Sequence, residues 1–183
     1  LGDAFGWASE HRLTAHDELS YLREFEHITY ARILLARFKS NHTDRSILEA
    51  TGLLNRLLKA SQEGGRMGSV IEILVLQALA QQLQGDTSSA LIPLQQALTL
   101  AEPEGYIRVF ADEGQPMVQL LLEAGACGIL PDYSGRLLEA IRPEQQFHLA
   151  AVGQVSPGRG VEEASRPATP AAKSQIEPLS HRE

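Results

Sequence analysis

The sequence predicts an all-α protein in which antiparallel helix pairs stack into a right-handed superhelix, followed by a disordered or extended C-terminal linker. Three observations predict it. Apolar residues recur at steps of three and four through almost all of residues 17–141, the period of helices that bury one face. The pattern of one helix pair returns about forty residues later, and recurrence at such a period is the signature of a stacked array. After Ile141 the stripe ends, and proline, glycine and small or charged residues take over.

Residues 1–8 read as the end of an amphipathic helix that began earlier, with neither an initiator methionine nor a basic-then-apolar leader, so the chain is expected to be part of a longer protein. Residues 17–39 put Leu19, Leu22, Phe25, Ile28, Ala31 or Arg32, and Leu35 on one stripe, with Asp17 and Glu18 at the positive helix end that favours them. A turn at Asn41-His42-Thr43-Asp44 leads to a second helix over 45–62. Its Ile47, Leu48, Leu54, Leu57 and Leu58 share one side, and Gly64-Gly65 stops it. Helices follow over 68–83 and 87–102, broken by Gly85-Asp86 and ended by Pro103-Glu104-Gly105. No segment alternates convincingly as a strand does; 107–110 is expected to form a helical turn.

Residues 74–103 resemble one tetratricopeptide repeat. Ala78 is the small residue of the first helix, Gly85-Asp86 the turn, Ala90, Leu94 and Ala97 belong to the second helix, and Pro103 closes the unit. Alanines let two helices approach closely while Leu94 fills the hole beside them. An earlier, degenerate copy pairs Ala31 with Ala50, Leu54 and Leu58. An ordinary antiparallel helix bundle is the competing architecture.

Pro143, Pro157, Pro167 and Pro170, with glycines at 153, 158 and 160, mark a linker; the apolar stretch 147–152 is able to dock on the domain. Ser180 followed three residues later by Glu183 is a capping box, and Leu179 stands where a hydrophobic staple begins, so a helix is expected to start at the last residues. The division is therefore a helical-repeat domain over 1–142, a Pro/Gly-rich linker over 143–175, and the start of a further domain at 176–183.

Charge limits the partners. Residues 142–183 carry five basic and five acidic side chains, so all of the net −7 lies in 1–141. Phosphate backbones are held by clustered Lys and Arg; this part alone is expected not to bind DNA detectably at physiological salt. The single cysteine, Cys127, excludes an intramolecular disulfide, and the apolar runs are too short to span a bilayer. A cytosolic setting and no membrane partner are expected.

Three stretches resemble the MalT-like, ATP-dependent LuxR-type regulators of bacteria. Asp17-Glu18-Leu19-Ser20-Tyr21-Leu22-Arg23-Glu24-Phe25-Glu26-His27, running into Ala31-Arg32-Ile33-Leu34-Leu35-Ala36, looks like a segment late in their repeat region. Ala101-Glu102-Pro103-Glu104-Gly105-Tyr106-Ile107-Arg108-Val109-Phe110-Ala111-Asp112-Glu113-Gly114 is similar to their most recognisable string, and Pro178-Leu179-Ser180-His181-Arg182-Glu183 looks like the entrance to their helix-turn-helix domain. The resemblance implies a sensor: an effector-receiving repeat region controlling a DNA-binding module outside this chain, with ATP held by an N-terminal module also outside it. Read from its residues, the middle string is structural. Gly105 stops a helix, Ile107, Val109 and Phe110 supply apolar contacts, Arg108 and Asp112 pair at i, i+4, and Gly114 with Pro116 restarts a helix.

Catalytic chemistry finds no foothold. The lysines Lys39, Lys59 and Lys173 follow Phe38, Leu58 and Ala172, so no Gly-Lys-Ser/Thr phosphate loop exists. His11 and His16 are five apart, where helical metal ligands need three or four. His27 is expected to be a partly buried packing residue, and Cys127 a small buried hydrophobe. Glu24 and Glu26, two apart on a helix, point in different directions. No enzyme activity, metal or cofactor is expected within the chain.

A repeat superhelix offers a concave wall made by the first helix of each pair. The alanine register turns Ile28, Arg32 and Leu35, then Glu72, Val75, Leu79 and Gln82, toward it, with Arg32, Glu72 and Gln82 the polar candidates. Expected partners are a small-molecule inducer or a regulatory protein, and other domains or subunits of the parent regulator. DNA is reached only through the helix-turn-helix. A stand-alone protein-interaction scaffold is the competing function.

Overall fold

The computed structural model describes residues 2–42 and 44–152, with side chains through Ile141 apart from Asp44. The described residues form α1 (Gly2–Glu10), a 3-10 turn (Tyr21–Arg23), α2 (Glu24–Asn41), α3 (Asp44–Glu63), α4 (Met67–Leu83), α5 (Thr87–Ala101), the short α6 (Arg108–Ala111), α7 (Gln115–Ala126) and α8 (Pro131–Val152), and no strand. Helix α2 packs on α3, α4 on α5 and α7 on α8; α3 then meets α4, and α5 meets α7, so the pairs stack.

Helix α4 is the axis of the stack. It packs against α2, α3, α5, α6 and α7, and nine of its residues from Val70 to Ala80 are buried. A helix apolar all round is one enclosed on every side. The alanines expected at the helix crossings are there: Ala31, Ala50, Ala78, Ala90 and Ala97 have no exposed surface, and Leu54, Leu94 and Leu98 fill the spaces beside them. Each buried leucine contributes about 1.5–3 kcal/mol relative to exposure.

Gly65 and Gly85 take φ of +67° and +82° after α3 and α4. These left-handed positions let Arg66 N donate to Ser61 O at 2.9 Å and Asp86 N to Gln81 O at 3.1 Å, closing the helix ends. Asp86 then caps α5, its Oδ1 accepting from Ser89 N at 2.9 Å. The side-chain and backbone hydrogen bonds from Ser89 hold its carboxyl below the ordinary aspartate range. Asp86→Ala should therefore lower the thermal midpoint followed by circular dichroism, because the amide loses its acceptor. An unchanged midpoint would show that water replaces the cap without cost.

The structure departs from the sequence reading at several places. Helix α2 starts at Glu24, not at 17. The chain before it is a turn: Thr14 N donates to Asp17 Oδ2 at 3.0 Å, and Glu24 and Glu26 take the acidic first-turn positions. Leu22 and Phe25, expected on the apolar stripe, are exposed, as is Leu48; Leu53, outside the expected stripe, has no exposed surface. Ile107 is exposed while its neighbour Phe110 is buried. Cys127 caps α7 and is exposed, because the polypeptide turns there on Gly128 at φ +74°. Helix α8 runs to Val152, past the boundary expected at 142/143. Pro143 removes one backbone donor, but Glu144, Gln145, Gln146, Leu149, Ala150 and Ala151 are good helix formers. The side chains of 147–152, and with them any docking there, the linker from residue 153 onward and the capping box at Ser180 lie outside what the structure describes.

Candidate functional site

Helices α2 and α4 and the 106–116 segment form one wall, and Arg32 stands at its centre. Its Nη2 donates to Glu72 Oε1 at 3.0 Å, and its Nη1 donates to Glu113 Oε1. The three groups come from α2, α4 and the α6–α7 turn, so one guanidinium ties together three segments that are not consecutive along the chain. Burial works against the charge of Arg32, but Glu113 and Glu72 outweigh it and raise its pKa. Two carboxylates on one half-buried cation leave the cluster net negative.

Apolar clefts flank the cluster. On one side Leu35, Leu76, Leu79, Leu83 and Pro116 line a cleft of about 200 Å³ whose polar edges are Arg32, Glu113 and Lys39. On the other, Tyr21, Leu22, Phe25 and Ile28 meet Glu24, Ser69 and Glu72 around about 370 Å³. Glu24 is the anchor of that side. It accepts from Arg66 Nε at 2.8 Å, Ser61 Oγ at 3.0 Å and Ser69 Oγ at 2.5 Å. Burial raises its pKa, and the hydrogen bonds from Arg66, Ser69 and Ser61 more than reverse this, leaving it below the ordinary glutamate value.

The residues predicted for the wall do gather there, in a different condition from the one expected. Arg32 and Glu72 are joined, Ile28, Leu35 and Leu79 line the clefts as buried floor residues, and Val75 is wholly enclosed. Val75 leaves the surface because α4 has neighbours on all sides. Gln82 is engaged within the chain, donating to Pro116 O at 3.2 Å and Gln119 Oε1 at 3.3 Å. Sequence reasoning missed Glu113 and Lys39. Glu113 lies 81 residues from Arg32, and nothing local in its Ala-Asp-Glu-Gly setting points to that partner.

His27, expected to be partly buried, has no exposed surface. Its Nδ1 lies 2.8 Å from Arg23 O and its Nε2 3.5 Å from Asp17 Oδ2. The Asp17 carboxyl is raised by burial but held below its ordinary value overall by the Thr14 hydrogen bonds and His27. Arg108 and Asp112 form the expected i, i+4 pair at 3.1 Å. Among the described residues no group of three or more His, Cys, Asp or Glu is placed to hold a metal ion, and no helix is long and apolar enough to cross a membrane.

Helix pairs stacked through alanine crossings, with a walled inner face formed by the first helices, define a tetratricopeptide-like helical repeat. Residues 3–126 match the family model of the MalT-like TPR region, and the chain belongs to that family. No curated protein and no solved structure matches it.

Proposed function

We propose that this domain is the effector-sensing and protein-interaction repeat region of a LuxR-type, MalT-like transcription regulator. DNA contact falls to a helix-turn-helix module, and ATP to an N-terminal module, both outside this sequence. The role is binding, without catalysis or a resident cofactor, in the bacterial cytoplasm. The observation that carries the reading is the Arg32–Glu72–Glu113 cluster, because it joins α2, α4 and the α6–α7 turn between two apolar clefts. An effector bound there would bias how the elements sit against one another, which is the differential contact that coupling to a distant module requires. The exposed Tyr21, Leu22 and Phe25 on the cleft edge favour a protein partner on the same face.

Thermal denaturation of the domain against a metabolite panel tests this. A compound that binds only the folded state raises the midpoint by mass action. Arg32→Ala, which keeps the buried apolar floor, should abolish that shift while leaving the helical circular dichroism spectrum intact. A panel with no responding compound, or a response that survives Arg32→Ala, overturns the assignment of this wall as the effector site.

A further inference from the structure

Among the described residues, the buried side-chain polar atom without a hydrogen-bond partner is His27 Nε2. Buried polar groups are almost always bonded, so such an exception calls for a cause. The ring lies in the first turn of α2, against the 14–17 turn. A carbonyl oxygen only accepts, so the contact of Nδ1 with Arg23 O at 2.8 Å places a proton on Nδ1. Nε2 then faces Asp17 Oδ2 from 3.5 Å. In the neutral ring Nε2 carries a lone pair, which opposes a carboxylate; in the imidazolium it carries a proton, which a carboxylate accepts. One proton therefore decides whether His27 and Asp17 attract or repel.

The surrounding charges are fixed or already engaged. Burial raises the Asp17 pKa, but the Thr14 hydrogen bonds and His27 bring it below the ordinary 3.8, so Asp17 stays an anion wherever imidazoles titrate. From α3, Arg56 donates to Ala15 O at 2.8 Å and to Asp17 O, and a guanidinium keeps its charge at any working pH. Elsewhere on α3, Arg45 pairs with Glu49 and Lys59 with Glu63. From the 3-10 turn, Arg23 donates to Glu26 and to His11 O, both at 2.8 Å. On α2 itself Glu24 is held by Arg66. The charged side chain of α4 is Glu72, held by Arg32. On the α1 side, His11 Nδ1 lies 3.8 Å from Glu26 Oε1, and Asp3, Glu10, His16 and Glu18 are exposed. Of the imidazoles at this corner, His11, His16 and His27, only His27 is buried.

We infer that His27 is a proton-operated latch: protonated, it draws Asp17 and the 14–17 turn onto α2, and deprotonated, it lets them go. What the latch holds is the α1 end of the domain. The turn joins α1 to the repeats, and the chain entering it is tied back to α1 by His11 N to Trp7 O and Leu13 N to Ala8 O, both at 3.0 Å. Arg56 grips the same turn whatever the pH, so release loosens the segment without detaching it. The device is independent of the concave wall and would stand if that wall had no effector.

Two measurements on the full chain test it. Long-range proton–nitrogen spectra of the wild-type ring should show both nitrogens protonated at about pH 5 and Nδ1 alone protonated at about pH 8.5. An Nε2–H tautomer at the upper pH, or one protonation state throughout, overturns the proposal, and this holds even should the His27→Gln variant fail to fold. Hydrogen exchange at residues 11–14, corrected for the pH dependence of intrinsic exchange, should show protection falling about tenfold over the same interval, the loss expected for one charge-assisted hydrogen bond. In His27→Gln, whose amide does not titrate, that protection should be independent of pH, while His11→Gln should keep the wild-type response. Wild-type protection that ignores pH, a response that persists in His27→Gln, or one that vanishes in His11→Gln overturns the latch.

Discussion

Phe110→Ala should cost about 3–5 kcal/mol of unfolding free energy, the usual range for emptying a large aromatic from a core. Phe110 has no exposed surface, although α6, which carries it, spans only Arg108–Ala111. A helix that short has no stability of its own, so its place depends on this side chain. The ring meets Tyr133 edge to face, with centroids 6.2 Å apart and planes at 86°. Tyr133 donates its hydroxyl to Tyr106 O, and burial pushes its pKa up to about 12. Among the described residues the Phe110–Tyr133 ring pair and the Tyr133–Tyr106 hydrogen bond fasten this string to α8. Loss of the ring would free the segment that carries Glu113 as well. Urea denaturation should show the stability loss, corresponding to a fall of roughly 10 °C in midpoint for a domain of this size. Hydrogen exchange should show it concentrated in α6 to α8, since each unit of a stacked array leans on its neighbours only. A loss below about 1 kcal/mol would mean that the site collapses around the smaller residue and that the string is not fastened this way.

The fold was largely legible because it follows from local period and residue size. Ala78, Ala90, Leu94 and Ala97 announced one helix pair, Ala31, Ala50 and Leu54 its earlier copy, and Gly65 and Gly85 the turns; all of them occupy those roles. Apolar spacing says which residues can share a face, and it cannot say where the neighbours run out. Leu22 and Phe25 continue the stripe of α2 beyond the last turn that α4 covers, so they emerge into solvent. Val75 erred in the opposite direction, enclosed because α4 is central. Proline misled at Pro143, read as the start of a linker although α8 runs on to Val152; inside the helix expected over 87–102 it did not. Pro93 sits inside α5, where Ala90, Leu94, Ala97 and Leu98 are buried without exposed surface, and packing of that extent outweighs the lost hydrogen bond. Of the wall, Arg32 and Glu72 could be named from the alanine register. Glu113 and the setting of Glu24 could not, since partners 37 to 81 residues away leave no mark on the local pattern.

Glu24 shows what such a hidden partnership is worth, and Glu24→Gln should expose it through pH. The carboxylate joins the start of α2 to Ser61 near the end of α3, Arg66 in the following turn and Ser69 at the start of α4. All four groups meet at one corner of the two repeats. Glutamine keeps the shape but offers one acceptor oxygen and a donor where two acceptors are needed, so at least one hydroxyl or guanidinium N–H is left facing an amide. A loss of about 1–3 kcal/mol is expected at neutral pH for a hydrogen-bonded group left unsatisfied. Because the folded pKa lies below the ordinary glutamate value of 4.5, the unfolded chain takes up the proton first as the solution is acidified. The stabilisation by Glu24 is therefore complete above about pH 5 and disappears as pH falls below the unfolded pKa and through the folded one. Asp17 and Asp86 are depressed in the same way, so the wild-type curve alone will not isolate Glu24. The difference between wild type and Glu24→Gln will, because the aspartates act equally in both. Urea midpoints measured from neutral pH down to about pH 3 should show that difference shrinking as the carboxylate is protonated. A gap that stays constant across the range would place the carboxylate outside the network that ties the repeats together.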